Sequence, residues 1–224
     1  MVSYNTLRRG WCYCFFNCKV KQKSVEIYKH MTLSTQLVMT ETNRNSDKMT
    51  TVRPFRCRDL LTYNNVNLDV LTETYGVSFY LTYLARWPEY FQALESVNGD
   101  LMGYIMGKAE GFVNNWHGHV TALSVAPEYR RLGLANKLMD ILEEISEHKE
   151  CYFVDLFVRQ SNTIAIDMYK RLGYIIYRRV IGYYSSSGSN PDEDGFDMRK
   201  ALSKDVNRQS VIPLTKPVRP EDLE

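Results

Sequence analysis

The chain has 224 residues, of which 44% are hydrophobic, 12% aromatic and 24% charged, and its formal net charge is +2. This is the composition of a globular protein with one domain or two small ones, and the near-neutral charge argues against a nucleic-acid binder that depends on a broad basic face. No apolar run approaches the length of a membrane span, and five cysteines at irregular spacing indicate neither a disulfide framework nor a zinc site.

The first 48 residues differ from the rest in charge. They hold 8 Lys or Arg against 3 Asp or Glu, a net charge of +5, whereas the remaining 176 residues have a net charge of −3. No small-residue cleavage pattern follows the apolar patch at residues 11–16, which argues against a secretory signal. The basic residues, with no acid before Glu26, leave a mitochondrial presequence open. We interpret residues 1–48 as a disordered leader and expect a domain to start at Met49.

Predicted helices and strands alternate through the middle of the chain. In chain order, hydrophobic and β-branched patterns predict helices at 58–65 and 78–86, strands at 91–95, 101–108 and 117–125, a helix at 134–145, a strand at 151–158, a helix at 164–172 and a strand at 174–184. This order favours a mixed α/β sheet. A serine-rich run, three acids and four of the seven prolines then predict an irregular tail over 185–224, with a short ordered piece at 196–202.

A predicted strand, a loop and a helix meet between Val125 and Ala135. The loop and the first turn of the helix contain Arg130-x-x-Gly133-x-Ala135. Backbone N–H groups at a helix N-terminus attract anions, glycine lets a phosphate approach the main chain, and arginines pair with phosphate oxygens. The pattern predicts a phosphate-binding loop, although by itself it fits a plain strand-loop-helix connection with solvated arginines equally well.

A second pattern, Asn162-x-x-Ala165-x-x-x-Tyr169-x-x-x-Gly173-Tyr174, follows the next predicted strand. Asn162 either caps the helix or binds a ligand amide, and Tyr169 is either a phenol donor about two turns later or a core aromatic. The two patterns in this order predict a ligand site more strongly than either does alone.

Together the two patterns resemble the GNAT superfamily of acetyl-CoA-dependent acetyltransferases. The similarity runs from Met49 to Glu224 and is greatest to the catalytic subunits of N-terminal acetyltransferase B (NatB), through segments that include Leu71-Thr72-Glu73-Thr74-Tyr75-Gly76, Trp87-Pro88-Glu89-Tyr90-Phe91, Trp116-His117-Gly118-His119-Val120-Thr121 and Asp197-Met198-Arg199-Lys200-Ala201-Leu202. Members of this family begin at a methionine like Met49, so residues 1–48 resemble an added leader or an overextended start. Gly182 departs from the pattern, which has an acidic residue there.

The resemblance implies a GNAT fold, a mixed central sheet with helices on both faces, over residues 49–184. It also implies acetyl-CoA as cosubstrate and no metal. The implied cofactor-binding residues are Leu123, Val125, Arg130, Arg131, Gly133, Leu134, Ala135, Asn162 and Tyr169.

The implied reaction is transfer of acetyl to the α-amine of nascent proteins that retain Met before Asp, Glu, Asn or Gln. The implied substrate-binding residues are Glu73, Tyr75, His119, Thr121, Tyr183 and Tyr184. Without the resemblance, Glu73 and Tyr75 fit a solvated turn, and His119 fits a satisfied strand histidine. Tyr183 and Tyr184 face opposite sides of a straight strand, so both can line one groove only if the strand bends.

The implied chemistry needs modest help from the protein. An α-amine has a pKa of about 7.7–8.0, so roughly a tenth of it is neutral at pH 7, and a weak base suffices. The thioester oxygen needs a backbone donor, which the family supplies near Leu123, and the leaving thiolate needs weak acid assistance, which Tyr169 supplies. We take Tyr169, Leu123 and His119 as candidate catalytic residues, and the general base stays unassigned.

The resemblance also implies partners. It predicts a large auxiliary subunit of helical repeats that docks the enzyme at the ribosome in the cytoplasm, with no direct contact to nucleic acid or membrane. Two alternatives stay open: a GNAT enzyme for another protein N-terminus or a small amine, and a catalytically silent CoA-binding subunit. Glu73, Tyr75 and His119 argue against the first, and the joint presence of both motifs argues against the second.

Overall fold

The structure is a computed structural model that describes residues 50–68, 72–185 and 192–223. Residues 1–48, which the sequence predicts to be a leader, lie outside the described residues. Within these described ranges, no helix is long and apolar enough to cross a bilayer.

The described residues form a seven-stranded sheet in the order β1-β2-β3-β4-β5-β7-β6. The central neighbours β4 and β5 are parallel, and the other neighbouring pairs are antiparallel. The strands are β1 (Thr51–Pro54), β2 (Phe91–Glu95), β3 (Leu101–Glu110), β4 (His117–Val125), β5 (Phe153–Arg159), β6 (Ile175–Tyr184) and β7 (Glu193–Ala201). This mixed sheet confirms the predicted α/β class.

The α-helices of the described part of the chain are α1 (Asn64–Asn67), α2 (Val77–Arg86), α3 (Leu134–His148) and α4 (Thr163–Arg171). The apolar stripe that predicts α3 faces the protein core. Its buried residues include Leu134, Leu138, Leu142 and Ile145. Burial of such a stripe against a sheet is the main source of stability for a helix of this kind.

Helices α2 and α3 pack on opposite faces of the sheet. In β3, Tyr104 and Met106 belong to an aromatic core cluster that also contains Tyr80 of α2. The next residue, Gly107, faces the other way, since a Cβ built on it would lie 2.7 Å from Leu142 of α3. This is the two-residue alternation of a strand, and it confirms the predicted helices on both faces.

Strand β7 corrects the sequence prediction. The sequence predicts an irregular tail over 185–224 with an ordered piece at 196–202, whereas Glu193–Ala201 form a full strand between β5 and β6. The strand carries Asp197 and Arg199 as buried side chains. Because these charges interrupt the apolar alternation, the pattern of a central strand is hidden, and the sheet extends beyond the predicted boundary at residue 184.

The first described elements also differ from the prediction. The sequence predicts one helix over 58–65, whereas the structure has a 3₁₀ helix at Cys57–Leu61 followed by the one-turn α1. Strand β1 escaped prediction because four residues are too few to show a period. It is fixed by pairing with β2 and by Arg53, whose guanidinium donates to Asp59 at 2.7 Å.

Candidate active site

The two parallel strands at the centre of the sheet separate along their length. In the described structure, β4 and β5 pair from His117 with Phe153 to Val120 with Leu156. Beyond that point β4 continues only alongside β3, and β5 only alongside β7. Thr121 has no partner on β3, so β4 has a bulge where the strands part. Bulges of this kind bend a strand and often lie beside active sites.

The open edge of β4 presents backbone groups to the gap. The amide of Ala126 donates to the Met102 carbonyl near the start of β3, so the backbone groups of Ala126 point toward β3. Since successive strand residues alternate in direction, Leu123 and Val125 point toward the gap. The Val125 carbonyl accepts from Arg130 Nε at 3.1 Å, which agrees with this direction. Leu123 therefore has its N–H and C=O at the open edge, as the resemblance implies.

The loop before α3 forms an anion-attracting turn. Arg131 and Gly133 have positive φ values of 61° and 78°. The first hydrogen bond of the helix runs from the Lys137 N–H to the carbonyl of Gly133, the residue just before α3. The N–H groups of 134–136 have no acceptor among the described residues. Such free amides at the positive end of a helix dipole favour a phosphate. Arg131 is exposed beside them.

Helix α4 begins after β5 and carries the second motif. The Asn162 side chain accepts from the Ala165 N–H at 3.2 Å and so caps the helix, while its predicted contact with a cofactor stays a prediction. Tyr169 lies seven residues later, about two turns, and so on the same side of the helix. Its side chain is 8% exposed, and burial raises the pKa of its phenol well above the ordinary value. The hydroxyl has no hydrogen-bond partner among the residues that the structure describes.

Arg159 joins two of the predicted substrate-binding residues, Glu73 and Tyr184. Its guanidinium donates to Glu73 at 2.6 Å and to Glu193 at 3.0 Å, and it lies 4.3 Å from the ring centre of Tyr184. The loop that carries Glu73 is thereby attached to the ends of β5 and β6. Sequence reasoning missed Arg159, because its partner Glu73 is 86 residues away along the chain.

Tyr75 connects the same loop to the bulge in β4. Its ring stacks on Phe79 with centroids 4.4 Å apart, and its hydroxyl donates to the Thr121 carbonyl at 3.4 Å. The Thr121 hydroxyl in turn lies 2.9 Å from the hydroxyl of Tyr83 on α2. Tyr75 is half-buried, and burial with the nearby Glu73 raises the pKa of its phenol. These bonds place a polar cluster where β4 and β5 part.

Tyr183 and Tyr184 lie on the same side of the sheet because β6 bends. Their rings meet edge to face at 4.9 Å, with Tyr183 stacked on Phe157 at 4.4 Å. The bend centres on Gly182, which has a φ of 62° and donates its N–H to Asp194 at 2.8 Å. A positive φ suits glycine better than the acidic residue that the resemblance led us to expect. Because the strand bends here, both tyrosines can line one groove.

His119 is held by a buried carboxylate. Its Nδ1 lies 2.7 Å from Oδ1 of Asp155, and the other oxygen of Asp155 lies 3.6 Å from Nε2 of His117. Burial raises the pKa of Asp155, but the neighbouring histidines and Arg199 more than offset that effect, so its pKa is lowered. His117 is also buried, with its ring stacked on Phe153 at 4.6 Å.

A cavity of about 280 Å³ lies over this charged face of the sheet. Its lining includes His117, His119, Asp155, Phe157 and Tyr183. Burial and the nearby carboxylates raise the pKa of Tyr183 to about 12, so its phenol is neutral at physiological pH. The cavity thus offers hydrogen-bond donors and an aromatic wall beside the end of the β4–β5 pairing.

The predicted residues fall into two groups. The substrate-binding set is brought together through Arg159, Phe157 and the Tyr75–Thr121 bond. The cofactor-binding set is divided between the open edge of β4, the loop and first turn of α3, and α4 from its Asn162 cap to Tyr169. Asp155 and Phe157 were missed, although one acid in an otherwise apolar predicted strand was a visible signal for Asp155.

A comparison with known families decides the class of the protein. The model of the acetyltransferase (GNAT) family matches residues 61–174, which include both motifs. The chain belongs to the GNAT acetyltransferase family. This membership agrees with the parted central strands and the amide-rich turn before α3.

Relatives place the chain more narrowly within that family. It is 62% identical over 177 residues to the NatB complex catalytic subunit NAA20 of Arabidopsis thaliana, covering 79% of this chain and 99% of the relative. It is 58% identical over 165 residues to the corresponding subunit naa20 of Schizosaccharomyces pombe, covering 73% and 91%. The chain is thus a member of the NatB catalytic subunits, which are N-terminal acetyltransferases.

Solved structures support the same assignment. Naa20 of Chaetomium thermophilum in complex with a bisubstrate analogue is 43% identical, with a TM-score of 0.73, and the match covers 76% of this chain and 97% of that one. A NatB acetyltransferase complex bound to a bisubstrate inhibitor is 40% identical, with a TM-score of 0.69 and coverages of 78% and 99%. Both confirm the predicted GNAT fold.

Proposed function

We propose that the protein transfers acetyl from acetyl-CoA to the N-terminal α-amine of nascent proteins that begin with Met followed by Asp, Glu, Asn or Gln. The attack is direct, within a ternary complex of enzyme, acetyl-CoA and peptide. The observation that carries this proposal is the gap between β4 and β5, which has free backbone groups and helix amides on one side and the His119–Tyr183 cavity on the other.

The cosubstrate suits the groups around the gap. The free N–H groups of 134–136 and the guanidinium of Arg131 would hold the pyrophosphate, and Gly133 permits its close approach. The edge of β4 at Leu123 and Val125 would bind the pantetheine amides as an added strand does. The Nδ2 group of Asn162 is a further donor, since only its oxygen is used as the cap.

The chain's own groups supply what the transfer requires. The neutral amine attacks the thioester carbonyl carbon while the Leu123 N–H stabilises the charge that develops on the oxygen. The C–S bond then breaks, the sulfur leaves as a thiolate, and the amine loses its proton to solvent or a weak base. Because burial keeps the Tyr169 phenol neutral, Tyr169 donates a hydrogen bond to the departing sulfur.

Selection of the peptide depends on the polar cluster that lies where β4 and β5 part. Glu73 and Tyr75 would surround the amine and the methionine side chain, with the stacked Tyr75–Phe79 pair as an apolar wall. His119, Thr121, Tyr183 and Tyr184 would surround the second side chain. Hydrogen-bond donors at this position suit carboxylate and amide oxygens, which an aliphatic residue lacks.

The relatives also indicate a partner subunit for this chain. Solved relatives are described as parts of a NatB complex, and we infer that this chain works with a large auxiliary subunit of helical repeats that docks it at the ribosome in the cytoplasm. Residues 1–48 would be a leader that catalysis does not need.

Initial rates with acetyl-CoA and a Met-Asp peptide test the proposal. Direct attack in a ternary complex predicts intersecting double-reciprocal lines and an acetyl group on the α-amine, located by mass spectrometry. Parallel lines would indicate a covalent acetyl-enzyme instead, and acetyl found on a lysine side chain would contradict the assigned substrate.

Replacing His119 with alanine should remove most of the preference for an acidic or amide second residue. Loss of one hydrogen bond to a charged group corresponds to a roughly 10- to 100-fold lower ratio of kcat/KM for Met-Asp over Met-Leu. The ratio is measured with both peptides in competition. An equal decrease for the two peptides would instead show that His119 has a purely structural role.

Replacing Arg159 with methionine should weaken peptide binding by about two- to fivefold, as expected for loss of a partly exposed ion-pair network. The cause would be release of Glu73 and Tyr184, which Arg159 holds together. The measurement is KM for a Met-Asp peptide, with the dissociation constant of acetyl-CoA unchanged. Arg171→Met, at the exposed end of α4, is the matched control; an equal change in both variants would reject a role for Arg159.

A further inference from the structure

We propose that Asp155 is a positioning residue for substrate selection, which holds Nδ1 of His119 so that Nε2 is presented to the second side chain of the peptide. The inference rests on the proposed function, because it assigns His119 to that side chain. It adds a residue to which neither the family motifs nor the resemblance gave a role.

The contact between the two residues fixes the hydrogen on His119. Asp155 is 4% exposed, and its Oδ1 lies 2.7 Å from Nδ1 of His119, its direct partner across the β4–β5 ladder. An ionised carboxylate can only accept, so Nδ1 must carry the proton. The lowered pKa of Asp155 agrees with an ionised carboxylate despite its burial. His119 is then left with Nε2 as the nitrogen that can meet a ligand.

On the β7 side of Asp155, Arg199 does not compete with His119 for the carboxylate. Arg199 lies opposite Asp155 in the β5–β7 ladder, but its guanidinium donates to Asp197 at 3.2 Å and lies 3.7 Å from the ring centre of Tyr177. The competing cation is therefore engaged by its own carboxylate. The short contact of Asp155 is consequently the one to His119.

His117 does not compete for the same role. Its Nδ1 donates to the Asn115 carbonyl at 2.6 Å, and its ring is held flat against Phe153. Its Nε2 lies at 3.6 Å from Asp155, beyond ordinary hydrogen-bond distance. His117 thus packs as a structural ring, whereas His119 keeps one free nitrogen in the cavity lining.

Further charges face the same cavity. Lys108 and Glu110 of β3 pair with each other at 2.5 Å, and Arg178 of β6 donates to Asp197 at 2.9 Å. Each of these charges therefore already has a partner of opposite sign. Nε2 of His119, which Asp155 leaves free, is therefore the nitrogen that can bind a substrate side chain.

The test is Asp155→Asn in the full chain, with the auxiliary subunit where activity requires it. The amide no longer fixes the proton on Nδ1, so the ratio of kcat/KM for Met-Asp over Met-Leu should fall roughly 10- to 100-fold. The loss should appear mainly in KM for Met-Asp. Asp59→Asn, a variant of a similarly buried carboxylate that binds Arg53 away from the cavity, should keep the wild-type ratio. An unchanged ratio in Asp155→Asn would overturn the inference.

A second measurement decides the case if Asp155→Asn fails to fold. In the wild-type chain labelled with ¹⁵N-histidine, the His119 ring should show a protonated Nδ1 whose shift changes when a Met-Asp peptide binds. A neutral ring protonated at Nε2 alone would overturn the inference. Failure of the proposed function is distinguishable, because wild-type enzyme would then acetylate no Met-Asp peptide whatever the state of His119.

Discussion

Replacing Tyr169 with phenylalanine should lower kcat by about a hundredfold, the usual contribution of a well-placed donor or acid in a transition state. The dissociation constant of acetyl-CoA should change little, because the ring remains and packs edge to face against Tyr174. Rapid-quench measurement of the transfer step, together with equilibrium binding of acetyl-CoA, separates the two quantities. Since burial raises the pKa of this phenol, ionisation of Tyr169 should not limit the wild-type rate below pH 10.

Tyr174→Phe is the matched control for Tyr169→Phe. It removes a hydroxyl that donates to Glu143 at 3.0 Å from the adjacent buried ring. We expect this variant to lose stability and to keep its rate of transfer. If Tyr169→Phe turned over as fast as wild type, or if both variants slowed equally, Tyr169 would have no direct part in the reaction.

Replacing Gly118 with alanine should destabilise the fold by about 3 kcal/mol, at the upper end of the usual cost of overpacking. A Cβ at this position would lie 2.1 Å from Oγ and 3.0 Å from Cβ of Ser146, in the contact between β4 and α3. Ser146 cannot move freely, because its hydroxyl donates to the Leu142 carbonyl at 2.8 Å and lies 3.1 Å from the Tyr90 hydroxyl. The melting temperature should therefore fall by roughly 6–12 °C.

The double variant Gly118→Ala with Ser146→Ala tests the cause of that loss. Removing the serine oxygen relieves the closest contact, so the double variant should recover part of the stability relative to Gly118→Ala. Thermal unfolding followed by circular dichroism gives the comparison. If the second substitution only added to the first, the steric explanation would be wrong.

The central elements could be predicted from the sequence because their patterns are local. The stripe of α3, the apolar run of β5 and the alternation in β4 appear within single segments, and the structure confirms them. Strand β7 could not be predicted in the same way. Its buried Asp197 and Arg199 interrupt the apolar pattern. Arg199 donates to Asp197 within the strand, but the second arginine on Asp197 is Arg178 of β6, which lies outside the segment.

The site was predicted in part for the same reason. Motif spacing located the turn before α3 and the Asn162 cap, which depend on neighbouring residues. The Arg159–Glu73 and His119–Asp155 contacts span 86 and 36 residues, so only the folded sheet brings them together. The bend at Gly182, likewise, became visible only through its positive φ and its bond to Asp194.

The most direct measurement is acetyl transfer by the full chain, with and without an auxiliary subunit, to four peptides in competition. They begin Met-Asp, Met-Leu and Ser-Ala, and the fourth has a blocked N-terminus and one lysine. The proposed function predicts acetylation of the Met-Asp α-amine at least roughly tenfold above the others, as one charged hydrogen bond would give. Preference for another peptide would contradict the assigned substrate, and acetyl-CoA binding without any transfer would contradict catalysis.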